Sequence, residues 1–504
     1  MMRNSWILCV ALAACAGSRD GDDDGDNTGT ATAIRFTQAI GGAMWVNPEV
    51  FPTIPVHAIV DGDPSAVAIS VDGVAFEATH DGGRWTAMIE VAALADGEHA
   101  LTAEAHGVSA TAVLAAGRQG IQWTSISVDQ NAATPRLHLA GDRLLMTWTD
   151  GSSGSRVAWL QELDGAGRRI GEKLELAPGQ EDKLYARTAV GTATVGVLYQ
   201  ERGGPYKNFF VIAGRDGAPT IAPIALDPAD RFGSNSGDVT FTGDGYDLVW
   251  RTNSGAGSSD IRWMHVDEAT GAVTGPMIVA APGDGAPQAG FDAITNVSIR
   301  HHAGTSWVAF SRYVYDTQLE LELLKCQLAS VIGGVVDSAI VGIGADFTWD
   351  DDCRILDDGA GPVAVRAANS LTSSEDTPPD ELFAVRVPLV AGRGDGLRIV
   401  TGPETRVEPM MIGTAALPIL AWSDARKYAI DITQGEVELY ASVLGADLIS
   451  TEHLAFSHSH FIEGTADIRG VAAGENAILT WIDERHGGNV IAPKPEVYLE
   501  TVWQ

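Results

Sequence analysis

Leu145-Met146-Thr147-Trp148-Thr149-Asp150 is an apolar run that ends in an aromatic residue, a spacer and an acid. The same figure returns as Leu420-Ala421-Trp422-Ser423-Asp424-Ala425-Arg426 and as Leu479-Thr480-Trp481-Ile482-Asp483-Glu484-Arg485. Weaker copies stand at Val197-Leu198-Tyr199-Gln200-Glu201, Leu248-Val249-Trp250 and Val308-Ala309-Phe310, with a degenerate one at Val363-Ala364-Val365-Arg366. With residues 148, 199, 250, 310, 366, 422 and 481 as anchors, the intervals are 51, 51, 60, 56, 56 and 59. Self-similarity at such a period is the signature of a repeat architecture. Each unit reads as four short strands separated by Gly- and Asp-rich turns, the aromatic closing the second. Radial repetition of four-stranded units predicts a β-propeller over residues 118–504. The anchors imply seven blades, with six or eight as alternatives because the fifth anchor is weak. The last unit holds three strand candidates, at 468–472, 477–482 and 496–502. The unassigned stretch 121–128, which precedes the first unit, is expected to supply the missing strand and close the ring, since open blades would expose edges.

The repeat resembles those of exported bacterial propellers in which Trp-x-Asp, or Trp-x-Asp-x-Arg, ends the second strand. It differs from the WD repeat, whose Trp-Asp pair ends the third strand. On this resemblance Trp148, Asp150, Trp422, Asp424, Trp481 and Asp483 are repeat-motif residues.

Twelve residues before each anchor stand Arg136, Arg187, Asp238, Ser298, Arg354, Met410 and Arg469. Four arginines in equivalent positions are notable in a chain with only 33 Lys and Arg among 504 residues. These positions are expected on the innermost strands. One reading is an anionic ligand held by converging guanidinium groups, which offer planar bidentate donors. The other pairs each arginine with a motif acid (Asp150, Glu201, Asp424 or Asp483) in an inter-strand or inter-blade bridge. Arg354 has no motif acid in its own or the preceding unit, which makes it the leading ligand candidate. Sialidases also place arginines on a propeller, but the tyrosine nucleophile and Asp-box repeats of that family cannot be assigned here.

The stretch 33–117 carries seven strand candidates. Leu101, Ala103 and Ala105 alternate with polar neighbours, and Asp72-Gly73 is a hairpin signal. This predicts an antiparallel sandwich. Leu94-Ala95-Asp96-Gly97-Glu98-His99-Ala100-Leu101-Thr102-Ala103 resembles a motif of bacterial Ig-like domains, which implies a spacer or adhesive module. His80-Asp81-Gly82-Gly83-Arg84-Trp85 resembles part of a sialidase Asp-box but lacks its Ser and Thr, and reads as a turn.

The amino terminus is a three-part export signal: Arg3, an apolar run from Trp6 to Ala14, and small residues before Cys15. The run is too short to span a bilayer. Leu12-Ala13-Ala14-Cys15 resembles the lipobox of bacterial lipoproteins. The resemblance implies a signal peptide at 1–14, lipidation of Cys15 and membrane anchoring through several acyl chains. Ala16, in place of Asp, leans toward the outer membrane, facing the periplasm or the cell surface. Residues 15–32 then form an acidic tether that cannot bury a core. Its Asp20-Gly21-Asp22-Asp23-Asp24-Gly25 starts like a calcium loop, but Ala31 stands where the closing Glu belongs. No cofactor is expected; calcium is the alternative the tether leaves open.

The net charge of −33 argues against nucleic acid as a partner. Of four cysteines, Cys326 and Cys353 remain after export and lipidation, either as a disulfide or as two buried thiols. His458-Ser459-His460 and the acids at 350–352 and 357–358 are weaker metal candidates, read as a surface loop and as turns. No catalytic motif is recognisable. The expectation is a monomeric, non-catalytic binding or scaffold lipoprotein that presents the propeller to an envelope protein or glycan. The alternative is a glycan-active hydrolase or lyase with its site at the channel mouth.

Overall fold

The computed structural model describes residues 30–118, 121–122, 133–151, 154–179, 182–201, 207–227, 237–253, 259–280, 294–316, 321–342, 350–368, 381–387, 397–401, 406–424, 437–445, 447–448, 454–459, 468–483 and 496–504. All regular structure among them is β-strand. Cys15 and the acidic tether up to residue 29 lie outside the described residues.

The amino-terminal strands run in the spatial order Ala31–Phe36, Thr53–Gly62, Arg84–Glu90, Val74–Asp81, Ala68–Val71, Gly97–Ala105, Val108–Ala116 and Ala43–Val46. Strand Val74–Asp81 turns the corner between two layers. Its first half pairs with Ala68–Val71 and its second half with Arg84–Glu90. The first strand of the order packs on Gly97–Ala105 and Val108–Ala116, so the sheet folds over a core of Ile54, Val56, Ile89, Leu101 and Leu114. At the Asp72-Gly73 hairpin both residues have positive φ, 48° and 80°, as a two-residue turn between twisted strands requires. The short strand Ala43–Val46 was not foreseen. It runs parallel to Val108–Ala116, and its unbroken apolar sequence carries no period-two signal.

The rest of the chain has a propeller-like arrangement of six sheets. Five are four-stranded. The sixth has eight strands, formed by two four-stranded meanders that begin at Asp350–Asp357 and Arg406–Ile412 and meet through a single parallel pair, Asp357 with Ile412. The inner strands neighbour one another in a closed series: Ala133–Ala140, Lys183–Val190, Gly237–Phe241, Ile294–His302, Asp350–Asp357, Arg406–Ile412, Arg469–Ala473, and back to Ala133–Ala140. The expected closure is present. Ile121–Gln122 pairs with Glu496–Val502 and completes the last sheet, so the first segment of the propeller is stitched to its final strand.

The motif aromatics pair across strands within their own sheets. Trp148, Tyr199, Trp422 and Trp481 each face an aromatic directly across the third strand: Trp159, Phe209, Tyr440 and Tyr498. All four pairs stack, with centroids 5.7–6.4 Å apart, the offset range aromatic rings favour. In the degenerate repeat, Arg366 takes the aromatic's place and lies 4.7 Å over the ring of Phe383, again its cross-strand partner. A planar guanidinium substitutes for a ring here through a cation–π contact. The position survives although the residue type is lost.

The sandwich and the first and last sheets are in direct contact. Trp503 Nε1 donates to Trp45 O at 2.9 Å, Gly165 N donates to Ile40 O at 2.8 Å, and Arg168 pairs with Glu98 at 2.9 Å. His57 Nε2 meets Glu475 at 2.6 Å, and Arg84 pairs with the same carboxylate.

Candidate functional site

The inner strands share one register. Arg136, Arg187, Asp238, Ser298, Arg354, Met410 and Arg469 each pair with the residue immediately before the motif anchor: Thr147, Leu198, Val249, Ala309, Val365, Ala421 and Thr480. In five of the strands a one-residue bulge precedes this position, as between Ala133 and Arg136 or Asp351 and Arg354. A bulge bends its strand and re-aims the side chain beside it. The twelve-residue spacing seen in the sequence is thus one backbone geometry used repeatedly.

A cavity of ≈ 470 Å³ lies where these strands converge. Its polar wall is Arg136, His138, Thr188, Arg300, Asp357 and Arg469, and its apolar wall includes Val239, Phe241, Met411 and Ile412. Arg136 and Arg469 are buried at 9% and 8% exposure. Arg354 is not among the described residues of this wall; its strand contributes Asp357 instead. Arg187 is buried beside it and acts on the same charges.

Asp238 is the electrostatic pivot. Its Oδ2 accepts from Arg300 Nη1 and from the Ile299 backbone N–H, both at 3.2 Å. Its Oδ1 lies 3.6 Å from Arg136 Nη2, so two guanidinium groups from different repeats share one carboxylate. Burial pushes this carboxyl up. Arg136 and Arg300, the Ile299 N–H and the more distant Arg187 outweigh burial and hold it below the usual carboxylate range. Ser298, the equivalent residue of the next repeat, accepts the N–H of Ile355 at 2.9 Å in the same way. An acceptor at this position therefore satisfies an N–H of the neighbouring inner strand, a service an arginine cannot perform.

His138 lies one period-two step beyond Arg136. Its Nε2 is 3.0 Å from Thr188 Oγ1, which is 2.6 Å from Thr147 Oγ1. Burial, with the charges of Arg136 and Arg300, pushes the imidazole down to about 3, so it is neutral across the physiological range. Arg300 occupies the corresponding place in its own repeat, ten residues before Phe310. Sequence reasoning followed only the twelve-residue position and missed both. Alternation along the inner strand was the available signal, because residues two apart share a face.

The other candidates fall as follows. Cys326 and Cys353 form a disulfide that ties the third strand of one repeat to the inner strand of the next. Trp148, Trp422 and Trp481 are core residues. Asp150 is buried. Desolvation pushes its carboxyl up against the opposing Gly151 N–H, Lys173 and Trp148. The side chains of Asp424 and Asp483 lie outside the described residues, as do those of Asp350, Asp351, Asp352, His458 and His460. Asp357 and Asp358 act as turn acceptors. Asp357 takes the N–H of Gly359, while Asp358 takes those of Ala360 and Gly361 and pairs with Arg386. Among the described residues no group of three metal-ligating side chains is present.

No family model and no curated protein matches the chain. Several solved structures are similar. The β-propeller domain of the Trilobed protease from Pyrococcus furiosus is 7% identical at a TM-score of 0.41, over 75% of this chain and 96% of that one. The α-L-arabinanase of Penicillium chrysogenum is 11% identical at 0.41, over 76% and 97%. The polysaccharide lyase Uly1 is 11% identical at 0.45, over 74% and 90%. The expectation of a non-catalytic scaffold needs correction at this point. An arabinanase, a polysaccharide lyase and neuraminidase-type proteins are among the similar structures, so the non-catalytic reading is not carried further; at these identities and TM-scores the likeness shows the fold alone.

Proposed function

We propose that the chain is a glycan-active hydrolase or lyase whose site is the cavity at the convergence of the inner strands. The observation that carries this reading is the cavity itself. Its volume of ≈ 470 Å³ falls in the range of small-ligand pockets, about 300–1,000 Å³. It joins buried ionisable groups to an apolar wall, the combination a sugar ring needs for its hydroxyls and its C–H face. The incubation of residues 33–504 with a polysaccharide panel tests it, with reducing ends and unsaturated uronates as the two readouts. Release of either product is the expected result. Binding without turnover of any glycan would overturn the reading.

The setting belongs to the same proposal. The eight-stranded sheet counts as two blades, which makes the propeller seven-bladed. The sandwich at 33–117 is an Ig-like module, a reading supported by the parallel pairing of Ala43–Val46 with the last strand. The chain is exported and anchored to the outer membrane by lipid on Cys15. The Cys326–Cys353 disulfide supports an oxidising compartment.

A further inference from the structure

We propose that the amino-terminal sandwich is a clasp that holds the propeller ring shut at its seam, with Ile40 as the residue that locks it. The role is independent of what the cavity binds. Elsewhere in the ring, neighbouring sheets follow one another along the chain. At the seam the first sheet must instead meet the last, whose strands come from the far end of the sequence. The closing ladder is short: Ile121 and Gln122 pair with Leu499 and Tyr498. A two-residue ladder is marginal by itself.

Packing points to the sandwich as the reinforcement. At the boundary between the first and last sheets, Leu137, Leu144 and Met146 of the first meet Ile478 and Leu499 of the last in one apolar core. Ile40 of the sandwich belongs to the same core and is 7% exposed. Leu499 is also the residue that Ile121 pairs with, so lock and closing strand converge on one position. Ile40 reaches the core from a tight turn. Gly41 and Gly42 follow it with positive φ, 58° and 79°, and Ala43 pairs back to it. Glycine permits that backbone. Burial of the Ile40 side chain removes apolar surface from water on the sandwich and on both sheets at once, which only the assembled seam achieves.

The sandwich grips both sides of the seam. On the side of the last sheet, Trp503 Nε1 donates to Trp45 O at 2.9 Å, and His57 and Arg84 both meet Glu475. On the side of the first sheet, Gly165 N donates to Ile40 O at 2.8 Å, Arg168 pairs with Glu98 at 2.9 Å, and Ala166 packs on Ala43 and Ala115. A Cβ on residue 165 would strike Ala43 O, so the two backbones approach as closely as glycine alone allows. A body fixed to one sheet would leave the seam as it is. A body fixed to both resists their separation.

The path of the chain agrees. The last strand of the sandwich, Val108–Ala116, is followed after residues 117–120 by the closing strand Ile121–Gln122. The sandwich is therefore held to the last sheet by a short covalent connection as well as by contact. The seam also bears on the cavity, because Leu137 and His138 line it from the first sheet and Gly470, Val471 and Ala472 from the last. A clasp that fixes the spacing of these two strands fixes that part of the wall.

The test is hydrogen exchange on the full chain, read by mass spectrometry. Peptides over Ala133–Ala140 and Glu496–Val502 report on the seam, and peptides over Gly237–Phe241 and Ile294–His302 report on a boundary remote from it. Exchange of ladder amides measures local opening. Ile40→Ala is expected to speed exchange at the seam by about tenfold or more and to leave the remote boundary unchanged. Ile40→Val, which keeps most of the side chain, should speed it less. Trp503→Phe removes the donor to Trp45 O on the other side of the seam. It is expected to speed the same peptides by about two- to tenfold, and it carries the test if Ile40→Ala does not fold. Ala133–Ala140, which holds neither substitution, is the decisive peptide. Wild-type exchange there in the folded variants, or faster exchange confined to the sandwich, would overturn the clasp. Equal acceleration at both boundaries would do the same, because it marks a loss of overall stability rather than an opening of the seam.

Discussion

Asp238→Asn isolates the pivot of the channel. The side chain is 7% exposed and bridges Arg136 and Arg300. At an effective dielectric of about 20, unit charges separated by these distances attract by about 5 kcal/mol each before desolvation is subtracted. The amide keeps the shape and can still accept the Ile299 N–H, so what is lost is the charge. Two guanidinium groups then face each other without their shared counter-ion, and removing one partner of a buried ion pair costs about 3–5 kcal/mol. For a cooperative unit of about 400 residues, an unfolding entropy of about 2.1 cal/mol/K per residue turns this into a Tm drop of about 4–6 °C. The pH dependence has a definite sign. Asp238 has a depressed folded-state pKa relative to 3.8. Its contribution is therefore fully present above that ordinary value and is lost only as pH falls through the depressed one. The gap between wild type and variant should be flat at neutral pH and close in acid. Scanning calorimetry on both proteins, with Arg300→Met and the double variant, measures this. In the Asp238→Asn background Arg300→Met should cost less than in wild type, by more than about 1 kcal/mol of coupling. A Tm shift under about 1 °C, or strict additivity in the cycle, would refute the shared-carboxylate argument.

Four further outcomes are expected. Replacing Cys326 and Cys353 by Ser removes a crosslink of sequence separation 27; on the loop-entropy account this costs about 3.5 kcal/mol, to be read from the denaturant midpoint against the disulfide-bonded wild type. Arg366→Ala should destabilise by about 2–4 kcal/mol through loss of packing on Phe383, and Arg366→Lys should fail to restore stability because an ammonium lacks the flat face; equal stability of the Lys variant and wild type would count against the stacking role. Gly165→Val places a side chain against the Ala43 carbonyl oxygen, so the sandwich should detach and limited proteolysis should separate two stable fragments. Labelled palmitate should enter the wild type in cells and be absent from Cys15→Ser; continued labelling of the variant would remove the lipid anchor from the proposal.

Much of the ring was legible because its determinants repeat. An aromatic near the end of the second strand recurs in six of the seven repeats, and in four of them it stacks on an aromatic across the sheet. The degenerate repeat was placed on the apolar run Val363-Ala364-Val365 before Arg366, and its register is the same as that of its neighbours. The closing strand Ile121–Gln122 was also legible, as an apolar stretch left over before a unit that needed a partner. The site was less so. Arg136 and Asp238 stand about a hundred residues apart, and nothing in the spacing of either says that they meet across the channel. The expected partners of the arginines were motif acids at the ends of second strands. The partner seen for Arg136 is instead the residue at its own repeat position, two repeats on.

The shared register of the inner strands separates packing from chemistry along each repeat. The motif position must be flat and apolar, because it stacks across the strands of its own sheet, and only a guanidinium on a ring is tolerated in exchange. Twelve residues earlier the inner strand keeps one register in all seven repeats and is bulged just before that position in five of them, and Arg, Asp, Ser or Met stands there. Variation at that position costs the fold little and changes the channel a great deal. The arrangement carries its own check. Ser298→Asp should add a second inner-ring acceptor that still takes the Ile355 N–H, leave the melting temperature within about 1–2 °C of wild type, and weaken any acidic ligand by bringing a carboxylate toward Arg300. If the same substitution unfolds the chain, the bulged position is part of the structural core and the separation drawn here is wrong.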